Sequence, residues 1–465
     1  MLFLMFLMML SNYVDRSVIR ILAQPIKEDF LLSDFQVGIL GGFAFAMLYM
    51  VLGVPVARLA ERFSRVTIIS VALTIWSLTT ALCGFATSYL QLLLCRIGVG
   101  VGESGAAPPS QSLISDYFPP HRRASALSVH SFGIAMGGLG GLAIGGATAE
   151  AWGWRSALFL VGIPGLLLAL LIKLTVDEPP RGYSDSDEQA ERAREEAPSL
   201  ITAAKQLFGN PVFANLAAGA AITNLAIQGI HTFEAAYFVR RFELGLGEVG
   251  LVVGVLGGVA TGIGMLLGGV STDWAARHDP RWYVWLPALG LALAAPPTAW
   301  AFLQDNWLAA AVLLAAPGVT LYLFHAPAQA VIHNLAHPKS RATAIALYML
   351  CTASVGLAVG PVAVGLLSDF LGSLTFEREG LGSFLGACPG GIAPAGASAA
   401  LRAACQTAST AGVQQAMIAC TVLYLWGAGH FVLAGRAMGR ERAAAAAARH
   451  DGPTQEEQCK AQLGR

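Results

Sequence analysis

Four charged residues sit inside otherwise apolar stretches of this chain. Asp15 and Arg16 interrupt the run MLFLMFLMMLSNYVDRSVIRILA, and Arg96 and Glu103 interrupt LQLLLCRIGVGVGE. Arg96, Gly100 and Glu103 are spaced i, i+4, i+7, so a helix puts them on one face. Asn12, Asp15 and Arg16 fall on one side of their own helix in the same way. In a membrane each such charge costs about 3 kcal/mol on insertion scales, so they must face a wet cavity or pair with each other. Two kinds of chemistry follow. A cavity carboxylate can take up and release a proton, with Glu103 the first candidate and Asp15 the second. Arg16 and Arg96, with Asn12 beside them, present planar guanidinium forks to a phosphate or carboxylate. Without a bound anion the carboxylates neutralise the arginines, so proton and anion would compete for one set of charges. The plainer alternative is a static ion pair that only fixes helix packing.

These residues need helices in lipid to position them, and the composition supplies that setting. Hydrophobic residues make up 55% of the chain and charged residues 12%, about half the usual charged share of a soluble protein. With zero net charge there is no basic surface for nucleic acid. Twelve segments are long and apolar enough to span a bilayer, at 2–24, 34–57, 66–86, 89–116, 122–149, 155–176, 211–239, 247–272, 282–303, 306–335, 340–370 and 408–438. The apolar start lacks a charged n-region and reads as the first membrane helix; whether a native leader precedes it stays open. Loops after even-numbered spans carry Arg58, Arg62, Arg65, Arg122, Arg123, Arg277, Arg281, Lys339 and Arg341, and Arg436, Arg440, Arg442 and Arg449 follow around the end of the last span. Loops after odd-numbered spans are poorer in Lys and Arg, which predicts both termini on the cytoplasmic side. The charged stretch 177–208 reads as a cytoplasmic linker. It separates an N-terminal six-helix bundle (1–176) from a C-terminal one (209–440), with a tail at 441–465.

The two halves repeat. At a shift of 218, Pro109, Gln111, Pro120, Arg123, Ala124 and Ala126 fall on Pro327, Gln329, Pro338, Arg341, Ala342 and Ala344. Glycines 137, 141 and 146 fall on 356, 360 and 365 at a shift of 219. Paired half-repeats of this kind are a mark of secondary transporters. The loop after the second span reads ARLAERFSR, with Glu61, Arg62 and Arg65; its counterpart after the eighth reads GVSTDWAAR, with Asp273 and Arg277. Both resemble the G-x-x-x-D-R-x-G-R signature of the major facilitator superfamily. An acid at a helix end facing arginines can latch neighbouring helices in one state of a cycle, with Arg123 and Arg341 at the equivalent positions two loops on. Spans, linker and repeats resemble that superfamily over essentially the whole chain. The resemblance implies an all-α membrane protein, twelve transmembrane helices in two pseudo-symmetric bundles, working by alternating access.

Within the superfamily, Asn12-Tyr13-Val14-Asp15-Arg16, the run from Arg96 to Glu103, and Glu178-Pro-Pro-Arg-Gly182 together resemble the spinster family of proposed lysolipid and sphingolipid transporters. That implies a proton-coupled carrier of an amphiphile with an anionic head, of lysophospholipid or sphingoid phosphate class. Organic-anion, sugar or drug transport on the same fold is the alternative. The resemblance also implies a monomer in a bacterial cell membrane, with protons, lipids and a small molecule as partners and without cofactor or metal.

The second half carries fewer charges. Glu234 and His231 lie in the seventh span, with Tyr237 and Phe238 beyond them, and His325 opens the repeated stretch of the tenth. These residues suggest an aromatic, weakly polar wall opposite the charged one; His130 on the fifth span is a further candidate. Gly137, Gly141, Gly145 and Gly146 resemble a fifth-helix motif of antiporters, or simply permit close packing. The loop 371–407 is the longest on the outer side, and Cys388 and Cys405 within it are suited to a disulfide worth about 3 kcal/mol in the chain-entropy model. A membrane-embedded enzyme would need a nucleophile–base set or a metal cluster, and the sequence offers no such grouping.

Overall fold

In the computed structural model, residues 1–180, 183, 200–335 and 341–450 are described, and they form helices with no strand among them. The first half comprises α1 (Leu2–Ile21), α2 (34–62), α3 (Arg65–Cys83), α4 (Tyr89–Glu103 and Ala107–Tyr117), α5 (Pro120–Trp152) and α6 (Trp154–Thr175). The second comprises α7 (Pro211–Phe242), α8 (Leu246–Ala276), α9 (Trp282–Ala301), α10 (Trp307–Leu321 and His325–Leu335), α11 (341–377) and α12 (Ala399–His450). Helix is the form that satisfies every backbone group without water. The outward faces stay apolar, with Leu167, Leu266 and Val270 all more than two-thirds exposed, as a lipid-facing surface requires.

Among the described residues, ten helices are long and apolar enough to cross a membrane. The two of the twelve that fall short are α4 and α10, and both are broken. The breaks lie at 104–106 and 322–324, positions related by the 218-residue shift of the sequence repeat. Helices α2 and α11 each contain a stretch of π-helix, Ile39–Phe43 and Ser354–Val359, and the two stretches meet between the halves.

Several boundaries differ from the sequence expectation. The connection between α11 and α12 is 378–398 rather than 371–407, because α11 runs on to Glu377 and α12 begins at Ala399. Alanine carries little apolar bulk but has the highest helix propensity, so the Ala-rich stretch read as loop is helical. For the same reason α12 continues to His450, taking in the first ten residues of the expected tail. Within 177–208, residues 181–182 and 184–199 lie outside the described residues, and Leu200–Gly209 is a helix.

At the end of the bundle opposite the termini, hereafter the far end, the halves close on each other. A Cβ on Gly365 of α11 would lie 2.2 Å from the backbone oxygen of Asp34, and one on Gly38 of α2 would lie 2.3 Å from that of Pro361. Only glycine allows α2 and α11 this approach. On the other flank Glu150 of α5 accepts a hydrogen bond from the Gly247 amide of α8 at 2.6 Å.

Candidate functional site

The four sequence-singled charges meet across α1, α3 and α4. Arg16 Nε donates to Glu103 Oε2 at 2.6 Å, and Arg96 Nη1 donates to Asp15 Oδ1 at 3.2 Å. Thr80 of α3 adds a hydroxyl bond to Asp15 Oδ2. The approach of α4 to α2 depends on Gly100, where a Cβ would lie 2.4 Å from the Phe45 carbonyl oxygen. Phe45 then lies beneath both arginines, with the Arg16 guanidinium 4.9 Å and the Arg96 guanidinium 5.5 Å from its ring centre. Tyr49 and Tyr13 complete an aromatic sleeve around Arg16 at 4.8 and 5.1 Å. Such cation–π contacts hold a guanidinium without neutralising it.

The site keeps unspent hydrogen-bonding capacity. Glu103 Oε1, Arg96 Nε and Asn12 Nδ2 are buried and make no hydrogen bond among the described residues. Glu103, Asp15 and Arg96 are closed off, whereas the Arg16 side chain is 15% exposed. The two arginines, and neither carboxylate, line the central cavity, a space of about 340 Å³ to which Arg20, Phe45, Gln228 and Thr232 also contribute, and Arg16 is the more exposed of the two. Arg20 escaped the sequence reading. Its position one turn after Arg16 was the available signal, since i and i+4 share a face.

On the second-half side a larger cavity of about 610 Å³ is lined by Glu234, His231, Phe238, Tyr322 and Tyr424 among others. Tyr237 does not reach it: its hydroxyl donates to the Phe302 carbonyl at 2.9 Å, and its ring packs edge-on against Phe238, Phe242 and Phe302. His325 stacks between Tyr322 and Phe324 at the α10 break. His130 is buried against Ser110 at 3.2 Å, within the first half.

The far end carries a second charged cluster that sequence reasoning did not assemble. Asp34 of α2 accepts a two-pronged bond from Arg240 of α7 at 2.9 and 2.7 Å, one from Lys27 at 2.6 Å and one from Ser368 of α11 at 2.6 Å. Arg240 Nε also donates to Gln24 at 2.6 Å. Asp369 accepts the amides of Asp34 and Phe35 at 2.9 and 2.8 Å. All four charged residues are buried and they join the two halves. Cys388 and Cys405 are disulfide-bonded, with Cα atoms 5.7 Å apart. The adjoining turn at Gly390 and Gly391 rests on Leu31 and Lys27.

The loop acids and arginines lie at the other end. Arg65, buried, bonds Asp116, Ser112 and Glu178, the last at 2.8 Å, and reaches the Pro179 carbonyl at 3.1 Å. Glu178 caps α3 as well, taking the Val66 amide at 2.9 Å. Arg123 donates to the carbonyls of Ser115 and Phe118. Asp273 accepts from Tyr283 at 2.8 Å, while Arg62 and Arg277 are exposed. The side chains of Glu61 and Arg341 lie outside the described residues. The structure thus gathers Arg65 with Asp116 and Glu178 inside the first half, and holds Asp273 inside the second.

This arrangement has close relatives. The family model of the Major Facilitator Superfamily matches residues 5–361. The chain is 33% identical over 364 residues to an MFS-type efflux pump of Mycolicibacterium smegmatis, covering 77% of this chain and 82% of that one. It is 27% identical over 378 residues to the sphingosine-1-phosphate transporter SPNS2 of Danio rerio, covering 77% and 74%. Its fold superposes on the crystal structure of a bacterial homolog of the human lysosomal transporter Spinster, inward-facing and unoccupied. That match has a TM-score of 0.85 and 31% identity over 94% of this chain and 96% of that one. With the charged α1–α4 site and the repeated broken helices, these matches place the chain in the major facilitator superfamily as a transporter of its spinster family.

Proposed function

We propose that the chain is a proton-coupled transporter of an amphiphile with an anionic head, of lysophospholipid or sphingoid phosphate class. The observation that carries this is the pairing of Arg16 with Glu103, where only the arginine reaches the central cavity. Protonating Glu103 removes the counter-charge from Arg16 and leaves the guanidinium for a substrate phosphate or carboxylate. Losing the substrate lets Arg16 return to Glu103, whose proton leaves to water, so proton and anion bind together rather than compete for the site. Asp15 performs the same service for Arg96, with Thr80 and Asn12 as polar support. The apolar walls of the second half accommodate the hydrocarbon, with Glu234, Phe238 and His325 along that side. Tyr237 and His130 support the walls from behind.

The far end is sealed by the Asp34 cluster, and among the described residues the bond between halves nearest the termini is Ser354 Oγ to Met50 Sδ at 2.9 Å, near the middle of α2 and α11. We therefore read this as the state open towards the termini, on the cytoplasmic side of a bacterial cell membrane. Glu61, Arg62, Arg65, Arg123, Asp273, Arg277 and Arg341 would form the latch of the opposite state. A single copy contains the whole site, so the working unit is a monomer.

The experiment is uptake of a labelled lysophospholipid into proteoliposomes with and without an imposed pH gradient. Glu103→Gln should abolish gradient-driven accumulation while leaving exchange at equal pH. Gradient-driven transport at the parental rate in Glu103→Gln refutes Glu103 as the carrier and moves the role to Asp15. Similarity to an efflux pump favours drug export as the second reading, and competition of the uptake by lipophilic drugs distinguishes it.

A further inference from the structure

Two of the free cysteines meet at one helix seam. Cys83 is the last residue of α3, Cys95 lies in the second turn of α4, and their thiols are hydrogen-bonded to each other. The contact follows from the packing beside it. Helices α3 and α4 run antiparallel and close on glycines: a Cβ on Gly102 would lie 2.5 Å from the Trp76 amide nitrogen, and one on Gly98 would lie 2.7 Å from the Thr79 methyl. One further turn along each helix, in opposite directions, brings Cys83 to Cys95. The sulfurs thus continue a row in which the glycines have already removed the usual spacing. Thr80, one turn before Cys83, and Arg96, next to Cys95, both bond the Asp15 carboxylate.

Buried cysteines ordinarily serve as inert packing. These two differ in access. Cys83 is buried, whereas Cys95 is half-buried. Cys95 lines neither of the cavities described above, so its open part faces outward. Its chain neighbour Leu94, and Leu82 beside Cys83, are exposed apolar side chains of the lipid-facing surface. A reagent dissolved in lipid therefore reaches the Cys95 sulfur first and finds the Cys83 sulfur behind it. That is the arrangement of an attacking thiol and a resolving one. The seam lies towards the far end, the end that holds the Cys388–Cys405 disulfide.

We propose that Cys83 and Cys95 are an oxidation site, where an organic hydroperoxide carried in the lipid joins them in a disulfide that staples α3 to α4 beside Asp15. The Cys95 sulfur attacks one peroxide oxygen, the O–O bond breaks, and the alcohol leaves with the thiol proton. Cys95 is then a sulfenic acid. The Cys83 sulfur attacks that sulfur, the S–S bond forms, the S–O bond breaks, and water carries off the second proton. The two thiols lose two electrons, and the hydroperoxide gains them as alcohol and water. No substrate enters these steps, so the proposal stands or falls separately from the transport reading.

The test uses the full-length protein in nanodiscs, with Cys351, Cys420 and Cys459 replaced by serine. A lipid-anchored cysteine peptide in the same discs is the benchmark. Cumene hydroperoxide, which partitions into lipid, is added until the benchmark thiol is oxidised. At that point unreduced chymotryptic fragments containing Cys83 and Cys95 should be joined, and a maleimide should label neither residue in the unfolded protein. In Cys83→Ala, Cys95 should stop at the sulfenic acid and be trapped by dimedone. In Cys95→Ala, Cys83 should remain a thiol. Two labelled thiols at the end of the benchmark reaction overturn the proposal. So does Cys95 carried on to the sulfinic acid without a link to Cys83, or oxidation of Cys83 at the parental rate in Cys95→Ala.

Discussion

Removing Asp34 should open the far end. Its carboxylate satisfies Arg240 twice, Lys27 once and Ser368 once. In Asp34→Ala the cations Arg240 and Lys27, both under 10% exposed, lose the acid that binds them directly. Breaking a buried pair from one side costs about 3–5 kcal/mol. That penalty falls on the closed arrangement, since separation of α2 from α7 and α11 lets water reach both cations. At about 1.4 kcal/mol per tenfold, the closed-to-open ratio drops by roughly a hundred- to several-thousandfold. The reporter is Thr232→Cys, a buried position on the central cavity, in a background with the free cysteines replaced by serine. Its labelling by a membrane-impermeant maleimide added at the far end measures the open fraction. The rate should rise by one or more orders of magnitude and saturate. Replacing three of the four charges, Asp34→Leu with Lys27→Met and Arg240→Met, should restore slow labelling, because both cations leave with their acid and Asp369 keeps the amides of residues 34 and 35. A labelling rate within threefold of the parent in folded Asp34→Ala would refute the argument, as would failure of the triple variant to recover.

Three further outcomes follow from other contacts. Gly100→Ala pushes a methyl into the Phe45 backbone oxygen, so α4 must retreat from α2. The unfolding midpoint should fall by the equivalent of about 1–3 kcal/mol, and transport should be lost at normal expression. Burial raises the Glu178 carboxyl, but bonds from the Val66 amide, Arg65 and Ser64 outweigh it and hold the group below its ordinary 4.5. Its stabilising contribution is therefore present above pH 4.5 and disappears as pH falls through the lower folded value. Melting curves of the parent and Glu178→Gln should differ at neutral pH and converge on acidification. Reducing the disulfide, or Cys388→Ser with Cys405→Ser, should destabilise by about 3 kcal/mol and speed the Thr232→Cys labelling, since the turn after Cys388 rests on Lys27.

What could be read from residue order was the set of charges, and what could not be read was their partners. Helical spacing puts Arg96 and Glu103 on one face whatever the tertiary fold. That Arg16 takes Glu103 while Arg96 takes Asp15 depends on how closely α1, α3 and α4 approach, a distance set by glycine contacts between helices remote in sequence. The Asp34 cluster shows the same limit more sharply. Lys27 and Arg240 stand at helix ends, where basic residues ordinarily mark a membrane interface, so their positions in the sequence do not point to a buried cluster. The seating of Gly365 on Asp34 and of the Gly390–Gly391 turn on Leu31 and Lys27 helps to bury them. Tyr237 and Phe238 are adjacent on α7, and sequence offered no means to tell which would line the cavity and which would turn to the Phe302 carbonyl. The start of α12 was missed because alanine is a weak hydropathy signal and a strong helix former.

The repeat at 218 residues was legible in the motif positions 109–126 and 327–344, yet its structural meaning lies a few residues earlier. There both α4 and α10 are interrupted, which shortens them below the length of their neighbours. Interrupted helices at equivalent places in the two halves are where a carrier of this class exposes backbone and side chains to a cavity rather than to lipid. The interruption is shared but the chemistry beside it is not, since Glu103 corresponds to Leu321. Duplication therefore accounts for the location of the site, and the two halves have since diverged around it. One half holds arginines already matched by acids, and the other an acid with no bonded partner among the described residues. Two ligands of opposite charge, or two ends of one ligand, are what such a pair of half-sites can tell apart.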